Sequence, residues 1–236
     1  FPAKDISIID NEFKERSYIN LLKEDYPYLA LKKDQDIWMA ITPNEMNTME
    51  GAIAKANGKV ITYGLGLGYF AFMVSNKDNV NEVTIVEYDQ NIIDIFLTYL
   101  LPLFPNKEKI RVIKDDAYNH YNGISKENYD YCFIDIYHDA NDGVISYLKM
   151  RSVNTNVPTD FWIEESLVAM TRRILLSILA DSIFSHKREQ YCKKDDDLYE
   201  SFNFLLDKLK TTSISSYSEI VNLLSNKGII NLLKSR

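Results

Sequence analysis

GKVITYGLGLGYFAF, Gly58 to Phe72, decides how this chain is read. An apolar run, Val60 to Tyr63, passes directly into glycines spaced G-x-G-x-G at Gly64, Gly66 and Gly68, and then into a helix-like segment. A strand that ends in glycines before a helix lets the backbone come close to a ligand, and the helix start offers unpaired N–H groups to an anionic part of it. Several cofactor classes use that arrangement. A tight strand-to-helix turn whose glycines serve packing alone uses it too, so the rest of the chain has to choose.

Outward from the glycines, strand-like and helix-like segments alternate. VITY leads to the helix YFAFMVSNK, EVTIVEY to the helix NIIDIFLTYLLPLF that Pro102 and Pro105 end, IRVIKDD to AYNHYNG, and YDYCFIDIY follows. VTIVE and YCFID are near-continuous apolar runs, the pattern of strands buried on both faces. Strand, helix, strand repeated in this way predicts an α/β fold with a doubly wound, mainly parallel sheet. Upstream, YLALKK and IWMAI flank Asp34-Gln35-Asp36 and read as a β-hairpin. Thr42-Pro43-Asn44-Glu45 then supplies an N-cap, a proline at the first helical position and a Glu three residues after the cap, opening a helix that Gly58 ends.

After Asp142 the pattern is helical, at about 160–187, 197–210 and 217–234, the last with a second capping box at Ser216-Tyr217-Ser218-Glu219. No convincing strand follows; RSVNTNV, Arg151 to Val157, is a weak candidate. TDFWIEE, Thr159 to Glu165, reads as a helix start packing Phe161 and Trp162 on the core, or as the wall of an acceptor pocket. The expected organisation is an N-terminal extension of helix, hairpin and helix over 1–57, a Rossmann-like core over 58–142, and a helical part over 143–236 packed with the core as one domain.

Composition narrows the function. The chain has 236 residues, 46% of them apolar, enough for a sizeable core. Its net charge is −7 and Lys and Arg nowhere cluster without acidic residues among them, so nucleic acid is not an expected partner. Cys132 and Cys192 form no C-x-x-C pair, which suggests neither a disulfide framework nor a metal site, and a reducing, cytoplasmic compartment is the default. Phe161 to Phe184 is the longest apolar-rich window, but Glu164, Glu165, Arg172, Arg173 and Asp181 interrupt it. A charge at mid-span costs roughly 2.5 to 3.5 kcal/mol on insertion scales, so a core helix is expected there and not a membrane span. The KKDDD run, Lys193 to Asp197, reads as a solvated loop ahead of a helix. FPAKDISIID shows no secretory-leader pattern, and its start at Phe is read as a trimmed chain.

Two features turn the glycines toward an adenosine. Glu87 ends the second strand of the alternating region, 19 residues after Gly68, where an acid can take both ribose hydroxyls. Asp115-Asp116-Ala117 ends the third, where an acid can accept from an adenine amino group. A dinucleotide fingerprint would need glycine at position 69, and Tyr69 stands there.

As a set, VITYGLGLGYF, VTIVEYD, IRVIKDDA and YDYCFIDIY resemble motifs I to IV of class I S-adenosylmethionine-dependent methyltransferases, and within them the spermidine synthase-like branch. That branch also carries an N-terminal hairpin before its nucleotide domain. The resemblance covers about residues 27 to 140. It implies a Rossmann-like methyltransferase fold with S-adenosylmethionine as cofactor: the methionine end on Gly64, Gly66 and Gly68, the ribose on Glu87, the adenine amino group on Asp116 beside Ala117, the ring against Tyr88, and Asp135 facing the sulfonium and the acceptor. Thr62 takes the motif I position that is often acidic in methyltransferases, a departure the spermidine synthase-like proteins share.

Methyl transfer asks mainly for positioning, plus a base where the acceptor loses a proton. Candidates after the fourth strand are Asp135, Tyr137 and His138, with Asp139 next to them. The spermidine synthase pattern D-[ST]-x-D-P is not met by Asp135-Ile136-Tyr137-His138-Asp139, and neither is [DN]-P-P-[FYW]. The expected function is therefore methyl transfer to an unassigned small molecule. A catalytically inactive binding protein of the same fold and an aminopropyltransferase are the alternatives, and an NAD oxidoreductase ranks last. A small-molecule acceptor is the expected partner, a homodimer is an option, and no membrane or metal is expected.

Overall fold

The computed structural model describes residues 28–33, 36–184, 197–210 and 212–234. The helix expected before the hairpin, the hairpin turn and most of the charged segment around Cys192 lie outside the described residues.

Strands β1 (Ala30–Lys33) and β2 (Asp36–Ala40) pair antiparallel as a separate two-stranded sheet. Helix α1 (Pro43–Lys55) opens on the expected capping box: Glu45 N donates to Thr42 Oγ1 at 3.2 Å, and Thr42 N donates to Glu45 Oε2 at 3.1 Å. Its other end is closed by Lys77, whose ammonium reaches the carbonyls of Ile53, Ala54 and Ala56 at 2.6, 2.9 and 2.6 Å. Carbonyls of a last helical turn have no partner within the helix, so a lysine there satisfies them and opposes the dipole.

The expected alternation follows: β3 (Gly58–Tyr63), α2 (Tyr69–Ser75), β4 (Val80–Glu87), α3 (Gln90–Ile95), β5 (Ile110–Lys114), α4 (Ala117–Tyr121) and β6 (Tyr131–Ile134). A further strand, β7 (Thr159–Phe161), completes a five-stranded parallel sheet in the order β5-β4-β3-β6-β7. On one face Val60, Val83, Ile85 and Phe133 meet Ala52 and Ala56 of α1, Phe70, Ala71 and Val74 of α2, and Ile92 and Ile93 of α3. Phe70 stacks on Phe133 at 4.3 Å. Ile61, Tyr63, Val86, Cys132 and Ile134, on the opposite face, are buried as well, which is why these strands read as continuous apolar runs.

Three expectations are corrected. First, a strand does follow Asp142. It is not RSVNTNV but TDF, where the sequence predicts a helix start. A three-residue strand leaves no periodic signal, and its Asp160 is a poor strand former. The carboxylate is accommodated by Tyr131 Oη at 2.8 Å and Lys55 Nζ at 2.6 Å, partners remote in sequence. Second, NIIDIFLTYLLPLF is α-helical only to Ile95; Phe96–Leu100 winds as a π-helical turn and Leu101–Leu103 as a 3₁₀ turn. Pro102 has no N–H for the regular ladder and its ring excludes an α-helical preceding turn, so the hydrogen bonds change register ahead of it. Third, the helix over 217–234 is two, α8 (Tyr217–Leu224) and α9 (Asn226–Lys234). Ser225 is extended, and its Oγ accepts from Gly228 N at 3.0 Å as the cap of the second helix. At the start of α8, Glu219 N donates to Ser216 Oγ, but the Glu219 carboxylate takes Ser215 N, one residue short of a closed box.

The described elements fall into two compact units. One holds the residues up to Asp135 together with Thr155–Trp162, and so the hairpin, α1 to α4 and the whole parallel sheet. The other holds Ile136–Asn154 and the residues from Ile163 onward. Among the described residues its helices are α5 (Ala140–Arg151), which the sequence pattern does not predict, α6 (Glu164–Phe184), α7 (Asp197–Lys210), α8 and α9. Leu148, Leu167, Leu175, Leu205, Ile229 and Leu233 form its interior. Among the described residues no helix is long and apolar enough to cross a membrane.

Candidate functional site

In an open parallel sheet, ligands bind outside the carboxyl ends of the strands, where the strand order reverses. Here the chain runs from β3 outward to β4 and β5, then returns to lay β6 on the other side of β3. Register brings the four carboxyl ends level, with Tyr63 beside both Val86 and Ile134, and Glu87 beside Lys114. Each loop continues its ladder by one bond: Gly64 N to Val86 O at 2.9 Å, Asp115 N to Glu87 O at 3.2 Å, and Asp135 N to Tyr63 O at 2.9 Å. The glycine loop, Glu87, the Asp115-Asp116 turn and Asp135 therefore share one edge.

The loop glycines divide by role. All three have left-handed backbone, with φ of 90° at Gly64, 52° at Gly66 and 79° at Gly68, a conformation that costs other residues roughly 1–2 kcal/mol. At Gly68 a Cβ would also lie 2.6 Å from the Phe96 ring, whereas at Gly66 it would meet nothing within 4 Å among the described residues. Gly68 thus serves packing over the π-helical turn, and Gly66 borders open space. Gly68→Ala is expected to destabilise the protein by about 2 to 3 kcal/mol, adding overpacking to backbone strain. Gly66→Ala carries the backbone term alone, about 1 kcal/mol. Thermal melts of the two variants compare them directly, and equal losses would mean that the Phe96 contact does not matter.

Glu87 is built into the loop. Its Oε2 accepts from Leu65 N at 3.0 Å, and its Oε1 accepts from Tyr88 N and Asp89 N, both at 2.8 Å. Tyr88, beside it, is 73% exposed. Asp116 caps α4 through Oδ1, which accepts from Tyr118 N at 2.8 Å and Asn119 N at 3.1 Å, and Ala117 is the first residue of that helix. The acid expected at the adenine amino group thus also organises its own turn.

Asp135 is partly buried. Burial, and after it the charge of Glu45, pushes its carboxyl up to about 7. Burial also raises Glu45, against the lowering effect of the Thr42 N–H. Glu45 had only a capping role in the sequence, and no local signal could have placed it near Asp135. Phe161 is buried in the core, while Trp162 continues the β7–β6 ladder through Trp162 N to Ile134 O at 2.9 Å. Its indole Nε1 donates to Thr48 Oγ1 at 2.8 Å, tying α1 to the strand next to Asp135.

Tyr137 and His138 fall in the other unit. The buried Tyr137 ring occupies the space that a Cβ at Gly143 would need, 2.6 Å away. His138 Nδ1 lies 3.0 Å from Asp142 Oδ2, and Asp139 caps α5 in a capping box with Asp142. Burial works to raise the Asp142 carboxyl, but the N–H groups of Asp139 and His138, with the His138 ring, outweigh it and hold it below the usual range. Both expected bases are thus engaged at the start of α5. Among the described residues no group of three His, Cys, Asp or Glu side chains could hold a metal ion, and the buried Cys132 thiol is pushed up by desolvation, away from reactivity.

No family model matches the chain, and no curated protein matches it. Among solved structures it is similar to spermidine synthase from Thermotoga maritima, at 15% identity over 58% of this chain and 54% of that one, with a TM-score of 0.41. It is also similar to a spermidine synthase in complex with the transition state analogue AdoDATO, at 17% identity over 49% and 43%, TM-score 0.39. A third is an SAH-bound methyltransferase from Podospora anserina, at 20% identity over 45% and 44%, TM-score 0.32. The matched region spans about half the length of these chains. The chain has an open α/β fold built on a five-stranded parallel sheet. The glycine loop leaves the central one of its five parallel strands.

Proposed function

We propose that the chain binds S-adenosylmethionine at this edge and transfers its methyl group to a small-molecule acceptor. One juxtaposition carries the reading: Glu87 reaches back to Leu65 N inside the loop, next to the open space at Gly66. A carboxylate oxygen accepts two hydrogen bonds. Among the described residues Oε1 of Glu87 has two and Oε2 has one, which leaves Oε2 a position for a ribose hydroxyl. Gly64 and Gly66 would border the methionine end, Tyr88 would lie against the adenine ring, and Asp116 with Ala117 would meet its amino group.

The bound cofactor supplies an electrophilic methyl carbon. With its carboxyl near 7, Asp135 is divided between acid and carboxylate at neutral pH, the condition under which a side chain can take a proton from an acceptor O–H or N–H. Glu45 beside it disfavours an anionic acceptor. A second reading, a protein that holds the nucleotide without turnover, is favoured by one observation: Tyr137 and His138 are taken up by local structure.

Thermal melts with S-adenosylmethionine, S-adenosylhomocysteine, decarboxylated S-adenosylmethionine and NADH test the reading. A ligand at about 100 times its Kd adds roughly 2.7 kcal/mol, or about 5 to 10 °C in a chain of this size. A response to the first two is expected. Response to neither overturns the proposal, preference for the decarboxylated form redirects it to aminopropyl transfer, and binding without methyl transfer to any acceptor in a screen favours the second reading.

A further inference from the structure

Tyr63 is the last residue of β3, immediately before Gly64, and its hydroxyl lies 2.9 Å from Nδ1 of His120 on α4. The two rings meet edge-on at 5.7 Å, and Tyr121, the next residue of α4, meets the same tyrosine at 5.5 Å and 89°. Tyr63 is fully buried and Tyr121 nearly so. An apolar side chain would fill such a site without constraint; a buried hydroxyl must find a partner, so its bond restricts where that partner can be. Burial holds the phenol neutral, so its O–H can donate to Nδ1 or its oxygen can accept from Nδ1–H, the tautomer of the ring deciding which.

What the bond locates is the start of α4. This helix has five residues, and among the described residues the Asp116 side chain at its cap bonds within the same turn, to Tyr118 N and Asn119 N. His120 stands one helical turn after Asp116, with His120 N on Asp116 O at 3.0 Å. A displacement of His120 is therefore carried to Asp116 and Ala117. Asp115 N on Glu87 O holds the near side of the turn to β4, and the Tyr63–His120 bond holds its far side to β3.

We infer that Tyr63 and His120 form a positioning pair that sets the Asp116-Ala117 turn relative to the glycine loop, and thereby sets selectivity for the base at the cofactor site. The inference rests on the cofactor reading given above.

The test is the ratio of affinities for S-adenosylhomocysteine and S-inosylhomocysteine, which differ at the amino group, measured by calorimetry. Wild type is expected to prefer the adenine form. Tyr63→Phe and His120→Ala are each expected to lower that preference about fivefold, the scale of one hydrogen bond, and the double variant no further than either. His120→Asn, whose amide can present either an oxygen or an N–H near the place of Nδ1, should keep most of it. An unchanged ratio in Tyr63→Phe and His120→Ala overturns the positioning role and leaves the cofactor reading intact. Failure of wild type to bind S-adenosylhomocysteine overturns both. If Tyr63→Phe does not fold, His120→Ala against His120→Asn makes the same comparison, since His120 is only partly buried.

Discussion

Glu87→Ala is expected to abolish the midpoint shift that S-adenosylhomocysteine produces and to lower the midpoint of the free protein as well. Both effects follow from where the carboxylate sits. It accepts from Leu65 N, Tyr88 N and Asp89 N, so alanine leaves three backbone donors at the sheet edge without their acceptor. Hydrogen bonds to a charged group are worth about 1.5–3 kcal/mol each, they are not additive, and water can replace part of what is lost at an edge. A loss on the order of 3 kcal/mol is therefore expected, or about 6 to 12 °C in midpoint. Ligand affinity should fall by about 100-fold or more, because the ribose partner and the shape of the glycine loop go together. Glu87→Gln is no neutral control: its amide NH2 must face either Leu65 N–H or the Tyr88 and Asp89 pair, donor against donor. A Glu87→Ala protein with the wild-type midpoint would remove the anchoring role, and one that still responds to ligand would remove the ribose role.

The second large effect depends on pH. Asp135→Asn is expected to stabilise the protein above neutral pH and to change little near pH 4. An unfolded aspartate titrates near 3.9, and in the native protein burial first and the Glu45 charge second hold Asp135 at about 7. Between those values the native state binds the extra proton, so stability falls as pH rises from about 4 and reaches its low plateau beyond about 7 to 8. Asparagine does not titrate and escapes that loss. At about 1.4 kcal/mol per pKa unit the difference is on the order of 3 to 4 kcal/mol at pH 8, a midpoint higher by about 6 to 15 °C. Melts of both proteins from pH 4 to 9 give the whole curve. A variant less stable than wild type at every pH would mean that the carboxylate is paired and not merely desolvated.

Much of the candidate site was legible because it is written in short, contiguous signals. Val60 to Tyr63 and Tyr131 to Ile134 lie centrally in a parallel sheet, are buried on both faces, and so need no alternation; Thr42 and Glu45 form a capping box within four residues. Gly64, Gly66 and Gly68 stand as a set within five residues, and each has a left-handed backbone. What the sequence hid is non-local. Asp160 looks misplaced in a strand until Lys55 and Tyr131 are beside it, and Glu45 looks spent as a cap until Asp135 comes under its charge. Ser225 stood inside a helical pattern, and only its bond to Gly228 N makes it a boundary.

The G-x-G-x-G stretch shows the division. Residue type and spacing by themselves determined that the backbone can turn left-handed after a buried strand, because local sterics leave glycine as the residue that does so without strain. Which glycine packs and which borders open space was decided by Phe96, brought beneath Gly68 by a π-helical turn 28 residues later. The anchoring of the loop was decided by Glu87, and the placement of the turn opposite it by a tyrosine–histidine bond spanning 57 residues. Side-chain partners of that kind are set by packing and register across the sheet, and a chain acquires them only once its strands are side by side.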